Sequence, residues 1–410
     1  MIWGEWSHAL FLTAVLLAGC AHQDPTPLHS PSTGPAVAPL AFGEPRSVIT
    51  GCCRYEPTVA VDGAGRIFVT VGSTAVTSGS ADTAVSADEG ATWKLVQAPP
   101  LPDGAPAFDR QGDGVVQASP SGRMYFSALT FSGAGGADGV QVAWTDDGGS
   151  TWTNGAYQNL GQSVVDPDRQ WLAFGPGNTV YATYQQPCHQ ACLPLHAGRW
   201  IAHSDDGGSH WSPWSQSGPA GAASPSQVGA PVVDPTGRLL VAACTAGTVA
   251  VYSSTDKGVT WTTKGASSLA CTTGGGLDLL GAMLVRSWRD SSAKATFIAS
   301  SGDEGQAWGL AQRWGNDSVA GWWTNVRQTN LTLAYFHTDG DSVSLHVAKG
   351  GLNGVSMDAV VTSGLRAPPG SSSRNNANTD FATLATLPSG KLVTAWTDVN
   401  TVFVAVSNAQ

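Results

Sequence analysis

Three acidic residues each stand just before an apolar, strand-like stretch, and each has an arginine within three residues. They are Glu56, Asp113 and Asp168, accompanied by Arg54, Arg110 and Arg169. A guanidinium binds a carboxylate bidentately, and a carboxylate accepts hydrogen bonds from hydroxyls. Paired carboxylates also supply the acid and the base of glycoside hydrolysis. The pattern predicts either a binding site for an acidic, hydroxyl-rich ligand or a pair of catalytic carboxylates such as Asp113 and Asp168.

Later parts of the chain add candidates of the same kind. Asp278, Arg374 and Asp380 are expected to approach the same level as the first six residues. The repetition of acids and arginines at equivalent positions also has a structural explanation. Each acid can bind backbone amides at its own strand or pair with an arginine of the neighbouring unit. Both interpretations of this set stay open from the sequence.

A repeated hairpin pattern must position these residues. An apolar strand, a turn containing Gly and a second strand recur along the chain, as in residues 59–69. The first strands are predicted to start near Glu56, Asp113, Asp168, Gly229, Asp278, Asn330 and Asp380. Seven starts predict an all-β propeller of seven four-stranded blades. The last repeat has room for about three strands, so residues 41–50 are expected to supply the fourth and close the ring.

A second repeat follows most of these hairpins. The pattern Ser/Thr-x-Asp-x-Gly-x-x-Trp occurs five times, at residues 86–93, 145–152, 204–211, 254–261 and 301–308. An Asp in such a bend accepts hydrogen bonds from backbone amides, the Gly takes a positive φ, and the Trp packs between sheets. We therefore expect a structural role for the five motif aspartates, which are Asp88, Asp147, Asp206, Asp256 and Asp303.

These motifs resemble the Asp-boxes, or BNR repeats, of the sialidase-like superfamily. The resemblance covers residues 41–410 and implies a β-propeller. True sialidases usually have six blades, and the sixth unit here lacks a box, so a six-bladed ring is the alternative. The superfamily contains both catalytic and non-catalytic proteins, so the resemblance specifies the fold more closely than the function.

The resemblance also allows the sialidase machinery to be checked against this sequence. The family implies three arginines that clamp the substrate carboxylate, a Tyr nucleophile activated by a Glu, and an Asp acid/base. The nearest match to the first arginine is Arg54-Tyr55-Glu56-Pro57, whose extra residue turns Arg54 away unless a bulge corrects it. The only Glu between Gly90 and Gln410 is Glu304, inside a box. Tyr335 is the candidate nucleophile, but it has no such Glu as a base.

The N-terminus predicts export. An apolar run from Ala9 to Ala18 is too short to span a bilayer. It leads into Leu17-Ala18-Gly19-Cys20, which resembles the lipobox of bacterial lipoproteins, in which the cysteine is lipidated. We therefore expect a signal peptide over residues 1–19, then lipidated Cys20 and a flexible Pro/Ser/Thr-rich linker to residue 40. Ordinary secretion and a misassigned start codon are the alternatives.

Composition narrows the function classes. Only 12% of the 410 residues are charged, whereas Gly (50) and Pro (24) are abundant, which favours short strands over helical bundles. The net charge is −10, and no block of Lys or Arg is present. We therefore expect no nucleic-acid partner.

Six cysteines remain besides Cys20. We expect disulfides between Cys188 and Cys192 and between Cys244 and Cys271, while Cys52 and Cys53 form either a vicinal bridge or two free thiols. A metal held by the 188–196 segment is the alternative to its disulfide. The sequence predicts no metal site and no cofactor.

Three functions are compatible with the sequence. The first is a lipid-anchored propeller that binds a glycan, a peptide or an envelope protein without turnover. The second is a glycoside hydrolase acting on an acidic sugar, and the third is an assembly factor for an envelope complex. The oligomeric state is not predicted.

Overall fold

A computed structural model describes most of the chain. It covers residues 38–51, 54–73, 82–97, 99–100, 110–131, 137–159, 167–186, 198–217, 229–245, 248–270, 276–290, 292–316, 323–327, 330–339, 342–366, 382–398 and 401–409, with only the backbone at some strand ends. Residues from Pro39 onward form one compact unit. The predicted signal peptide, Cys20 and most of the predicted linker lie outside the described residues.

The described residues form seven four-stranded antiparallel sheets, which are the blades. The strands of blades 1 to 4 follow in chain order, after a first strand β1 at Arg46–Thr50 that belongs to blade 7. Blade 1 contains β2 (Arg54–Val61), β3 (Ile67–Ser73), β4 (Asp82–Ser86) and β5 (Lys94–Val96). Blade 2 contains β6 (Arg110–Ala118), β7 (Met124–Phe131), β8 (Ala137–Thr145) and β9 (Thr153–Asn159). Blade 3 contains β10 (Asp168–Phe174), β11 (Val180–Gln186), β12 (Gly198–Ser204) and β13 (Ser215–Ser217). Blade 4 contains β14 (Val232–Val233), β15 (Leu239–Thr245), β16 (Thr248–Ser254) and β17 (Thr262–Ala270).

Blades 5 to 7 complete the described fold. Blade 5 contains β18 (Gly276–Leu280), β19 (Met283–Asp290), β20 (Ala295–Ser301) and β21 (Gln312–Asn316). Blade 6 contains β22 (Trp323–Arg327), β23 (Asn330–Asp339), β24 (Ser342–Gly351) and β25 (Gly354–Arg366). Blade 7 contains β26 (Thr383–Thr386), β27 (Leu392–Asp398) and β28 (Thr401–Val406) together with β1.

The first strand of each blade lies innermost in the ring. Each of these strands contacts the first strand of the next blade, and β26 of blade 7 contacts β2 of blade 1. The described residues therefore confirm a closed seven-bladed propeller. Since the innermost strands all run in the same direction, the residues at their starts are brought to one end of the central channel, which we call the channel mouth.

Blade 7 joins both ends of the folded unit, as predicted. β1 pairs with β28, and Ile49, only 2% exposed, packs with buried side chains of blades 7 and 1. Asn408 strengthens the closure because its Oδ1 accepts from the Ala41 amide at 3.1 Å and its Nδ2 donates to the Pro39 carbonyl at 2.9 Å. Residues 41–50 therefore contribute the strand that the last repeat lacks.

The predicted start of the sixth blade is wrong by one strand. Asn330 begins the second strand β23, and the innermost strand is β22, Trp323–Arg327. The join between these strands has no Gly-containing turn like the one at residues 62–65 of blade 1, so the hairpin pattern could not locate it.

The Asp-boxes form turns of one repeated geometry. In the second box the Asp147 Oδ1 accepts from the Thr145 hydroxyl at 2.8 Å and from the Thr151 amide at 2.9 Å. The Thr145 hydroxyl in turn accepts from the amide of Gly149, whose φ is +81°. The corresponding aspartates and glycines of the other four boxes make the same contacts.

The box tryptophans lie between blades. Each packs against a cluster that includes buried residues of the preceding blade; they are Trp93, Trp152, Trp211, Trp261 and Trp308. Four of the indole N–H groups donate to the carbonyl of their own box glycine, whereas Trp152 donates to the Gln97 carbonyl of blade 1 at 2.9 Å. The boxes thereby connect the turn of one blade to the core shared with its neighbour.

The membrane and cysteine predictions can be compared with the described residues only. No helix within those residues is long and apolar enough to cross a membrane. Cys52, Cys53, Cys188, Cys192 and Cys271 lie outside the described residues, and only the backbone of Cys244 is described, on β15. The disulfides and the alternative metal site of segment 188–196 stay predictions.

Candidate functional site

The inner strands of blades 1, 2 and 3 share a bulge at the channel mouth. The pairing of each strand with its neighbour shifts register before Thr58, Val115 and Trp171. Inside each bulge one residue other than Gly has a left-handed backbone: Glu56 at φ 50°, Asp113 at φ 48° and Arg169 at φ 55°. Such backbones cost roughly 1 to 3 kcal/mol each and are typical of functional sites. Three neighbouring strands therefore present a charged residue from the same unusual conformation.

In blade 3 the bulge residue is Arg169, whereas the sequence predicts Asp168 at this position. The sequence pattern matches Asp168 with Glu56 and Asp113, but Asp168 pairs with Gln185, at the register position where blade 1 pairs Tyr55 with Gly72. The residue equivalent to Glu56 and Asp113 is Arg169. The mouth therefore has a cation in the third position, with Asp168 beside it, instead of three equivalent acids.

Arg169 brings blades 1 and 3 together. Its Nη1 lies 3.3 Å from Glu56 Oε1, and the two side chains are only 16% and 13% exposed. The Arg169 amide donates to Asp168 Oδ1 at 2.7 Å, and its Nε lies 3.6 Å from the same oxygen. Low exposure strengthens these ion pairs compared with pairs in bulk water. The structure thus places Glu56, Asp168 and Arg169 in one connected group.

Gln170 joins the second blade to this group, and the sequence analysis did not identify it. Its side-chain amide donates to the main-chain carbonyl of Asp113, and its main-chain carbonyl accepts from the Ser127 hydroxyl at 2.9 Å. Gln170 is 2% exposed. In the sequence, only its position directly after Arg169 indicated that Gln170 belongs to this group. The bulges of blades 2 and 3 are thereby held against each other.

The arrangement suits recognition of a polar ligand. A carboxylate has about four lone-pair sites, so Asp168, whose side chain is 32% exposed, can accept from ligand hydroxyls alongside its contacts to Arg169. The half-buried Asp113 and the Glu56–Arg169 pair add fixed charges of both signs. Among the described residues, no group of three or more His, Cys, Asp or Glu is arranged to hold a metal ion.

Other members of the predicted set are placed differently. Asp278 pairs with Val285, which corresponds to Ala60 with Phe68 in blade 1, so Asp278 lies deeper along its strand than the mouth residues. Arg374 and Asp380 lie outside the described residues. The backbones of Arg54 and Arg110 begin β2 and β6, but their side chains are not described. The bulge needed to redirect Arg54 is present directly after Tyr55.

Tyr335 points away from the channel. It lies on the second strand of blade 6, is 2% exposed, and packs between blades 5 and 6. Its hydroxyl donates to Asp358 Oδ2 on the outermost strand β25 at 2.7 Å. Burial, and then the hydrogen bond to Asp358, raise the pKa of Tyr335 above its ordinary value. A phenol held in this way is a poor nucleophile.

Glu304 is engaged at the opposite end of the blades. It forms ion pairs with Arg238 and, at 2.8 Å, with Lys264 in the region of the fourth and fifth boxes. The box turns follow the third strands, at the end remote from the channel mouth. This glutamate is therefore not placed to activate a nucleophile at the mouth.

A separate cavity of about 500 Å³ also opens at that remote end. Its lining includes Arg66, Arg123, Asp146 and Asn178 from the hairpins and box turns of blades 1 to 3. Arg123 already binds Asp146 through Nε at 2.9 Å and Nη2 at 2.8 Å, and stacks over Trp144 with Cζ 3.7 Å from the ring centre. Arg123 and Asp146 are thus paired with each other, and this cavity lies at the other end of the blades from the three bulges.

The fold is shared with structures of known proteins. A protein of unknown function from Dyadobacter fermentans aligns with 91% of this chain and 100% of its own, with a TM-score of 0.56 and 11% identity. The Penicillium chrysogenum α-L-arabinanase complexed with arabinobiose aligns with 89% of this chain and 98% of its own, with a TM-score of 0.51 and 11% identity. The Hadza microbial sialidase Hz136 aligns with 87% of this chain and 66% of its own, with a TM-score of 0.49 and 14% identity. The chain shares the β-propeller fold with these structures.

That likeness is one of structure and does not extend to sequence. No family model and no curated protein matches the chain. At 11% identity a shared fold does not specify a shared reaction. The function of this propeller therefore depends on the chemistry of its channel mouth.

Proposed function

We propose that this propeller is an exported protein that binds a glycan or another hydroxyl-rich ligand at its channel mouth, at the cell envelope, without sialidase turnover. The observation that carries the proposal is the set of three equivalent bulges in blades 1 to 3. They hold Glu56, Asp113 and Arg169 in strained backbones at one end of the channel, and the Glu56–Arg169 contact links non-adjacent blades.

The chemistry of the mouth fits a ligand with hydroxyl groups. Carboxylates accept from hydroxyls, and a guanidinium donates to hydroxyl or carboxylate oxygens in a fixed planar geometry. Because Gln170 fixes blade 2 against blade 3 and Arg169 ties blade 3 to blade 1, the polar groups are held in place before a ligand arrives. Preorganisation of this kind reduces the entropic cost of binding.

Two observations argue against sialidase turnover. The Tyr335 hydroxyl is directed to Asp358, and Glu304 is paired with Arg238 and Lys264. Within the chain between Gly90 and Gln410 there is no other Glu to act as the base. A Tyr/Glu pair of the sialidase kind is therefore not supported.

Glycoside hydrolysis by paired carboxylates is the second candidate. It is favoured by the presence of Asp113 and Asp168 on neighbouring inner strands, whose bulges Gln170 joins directly. The arabinanase in the structural comparison is described as complexed with arabinobiose, a sugar and therefore a hydroxyl-rich ligand. The two functions differ in their outcome, because hydrolysis releases a cleaved sugar and binding alone does not.

Calorimetric titration of the purified 39–410 unit separates these functions. The probes are neutral oligosaccharides, glucuronate- and galacturonate-containing oligosaccharides and N-acetylneuraminate, together with a panel of fluorogenic glycosides. We expect saturable binding of a sugar, a loss of tenfold or more in Glu56→Gln and Arg169→Ala, and no glycoside turnover. Arg313→Ala, an exposed arginine on the outermost strand of blade 5, is the matched control and should bind as the wild type does. Turnover abolished by Asp113→Asn would establish the hydrolase instead, and binding unaffected by both mouth variants would reject the site.

A further inference from the structure

Arg286 is a charged residue at an apolar position in the wall between blades 4 and 5. Leu284 of β19 packs with Leu240 and Ala242 of blade 4, and Arg286, two residues later on the strand, faces the same way. In blades 1 to 4 the residues at the matching register position are Val69, Phe126, Ala182 and Val241, all buried and apolar. Arg286 itself is 0% exposed.

The guanidinium of Arg286 has no hydrogen-bond partner among the described residues. This holds for Nε, Nη1 and Nη2 alike. Among the described residues, the guanidinium makes a cation–π contact with the Trp288 ring, whose centre lies 5.7 Å from Cζ. Burial lowers the pKa of Arg286 to about 10, so the group still carries its positive charge at neutral pH.

The neighbouring blade supplies no counter-charge. Between residues 229 and 277 the sequence has only two acids, Asp234 and Asp256. Asp234 pairs with Arg238, and Asp256 accepts from Ser254 and Thr260 in its box. Both stand at the box end of blade 4. The segments 246–247 and 271–275, which lie outside the described residues, contain no Asp or Glu.

A buried cation without a counter-charge is costly, by several kcal/mol per ion. A partner that is not one of the acids of blade 4 is therefore required to offset that cost. Arg286 is fully buried and faces a surface of blade 4 that includes the small side chain of Ala242, so the partner has to be compact as well as negatively charged. Chloride and a small carboxylate share this chemistry.

We propose that Arg286 binds a compact monovalent anion between blades 4 and 5, and that the anion stabilises the propeller. This site is separate from the channel mouth. Its role is to neutralise a charge within the wall of the ring, so that the two blades pack together with the guanidinium satisfied.

The test measures thermal unfolding of the wild-type 39–410 unit at matched ionic strength in sodium gluconate, sodium chloride and sodium acetate. Gluconate is much larger than chloride or acetate and serves as the reference anion. We expect the melting temperature to rise by about 3 °C or more with chloride or acetate, and to saturate with concentration. A response to chloride identifies a halide site, and a response to acetate alone identifies a carboxylate site. ³⁵Cl NMR line broadening provides a direct reading of chloride binding.

Substitution at the site gives the second arm. Arg286→Met should abolish the dependence on anion and the NMR broadening, while the control Arg313→Met retains both. Arg286→Lys keeps the charge and should retain part of the response, which covers the case in which the Met variant fails to fold. Equal melting temperatures of the wild type in all three salts, or an unchanged anion response in Arg286→Met, would overturn the proposal.

Discussion

Arg169 of blade 3 reaches Glu56 of blade 1, although blade 2 stands between them in the ring. The 3.3 Å contact joins two residues that both adopt left-handed backbones inside equivalent bulges. Neither backbone is favourable alone, so the pair is maintained by the register of the strands around it. The energetic coupling of the two side chains is therefore measurable separately from their individual contributions.

A double-mutant cycle on this pair is the first prediction. Arg169→Ala should cost about 2 to 4 kcal/mol, because it leaves the mostly buried carboxylate of Glu56 without this cation. The double variant Arg169→Ala/Glu56→Ala should be less destabilised than the sum of the single variants, with a coupling energy of about 1 to 3 kcal/mol. Urea denaturation checks this result. Additive single effects would mean that the contact contributes nothing to folding.

Acid sensitivity of the boxes is the second prediction. The hydrogen bond from the Thr151 hydroxyl, then the Thr151 amide and the Thr145 hydroxyl, lower the pKa of Asp147 to about 2. An unfolded Asp titrates near about 4. The contribution of Asp147 is therefore complete above about pH 4 to 5 and is lost as the pH falls toward about 2.

Denaturation series between about pH 5 and pH 2 test this sign. The wild type should lose stability progressively over that range, and Asp147→Asn should lose less of it. Thr151→Val removes the largest cause of the shift, so the pKa of Asp147 measured by NMR should rise. A pKa of Asp147 at its ordinary value in the wild type would contradict the geometry of the turn.

The box tryptophan of blade 2 gives the third prediction. Trp152 packs against the cluster shared by blades 1 and 2 and lies edge-on to Phe126, with ring centres 5.9 Å apart. Trp152→Ala should reduce the free energy of unfolding by about 3 kcal/mol, through lost burial and the cavity that remains. Leu310→Ala, at a side chain 86% exposed, is the control and should change stability little. Loss of ligand binding with an unchanged melting temperature would show a role other than packing.

Ring closure provides the fourth prediction. Ile49 is buried between blades 7 and 1, so Ile49→Ala should cost about 2 to 5 kcal/mol. Thr50→Ala, at the exposed neighbouring position, should be close to neutral. Calorimetry of both variants checks the difference, and equal unfolding temperatures would mean that β1 contributes little to closure.

Anchoring at the membrane is the fifth prediction. If Cys20 is lipidated, Cys20→Ser should move the protein from the membrane fraction to the soluble fraction of cells that express the full chain. Metabolic labelling with an alkyne fatty acid should mark the wild type and not the variant. Unchanged membrane retention of Cys20→Ser would reject lipid anchoring.

The blades could be predicted because their signals are local. Each box makes its hydrogen bonds within a few residues, as between Asp147 and Thr151, so the sequence alone specifies the turn. Blade 6 has no Gly-containing turn between its first two strands, and its innermost strand Trp323–Arg327 was missed for that reason. Where no local hydrogen-bonding motif marks a turn, strand boundaries depend on pairing with distant segments.

The mouth could be predicted only in part. The sequence placed charged residues at the starts of inner strands, but not which of Asp168 and Arg169 occupies the bulge. That choice depends on the pairing of β10 with β11, a relation between strands that residue types do not encode. Arg286 carried a weaker signal, a single arginine inside an apolar strand pattern, whose meaning emerges only once both blades around it are in place.

The mixed composition of blade 7 has a consequence for the order of folding. Its sheet combines residues 46–50 with residues 383–406. The strand at residues 46–50 is synthesised first, but its pairing partner β28 is complete only when nearly the whole chain has been synthesised. Contacts of such long sequence separation form slowly, and until they form, the edges of blade 1 and blade 7 have no neighbour. A chain that folds as it is synthesised would therefore pass through a long-lived open ring. The stage most exposed to aggregation or proteolysis would be the last one, before β1 pairs with β28 and closes the ring.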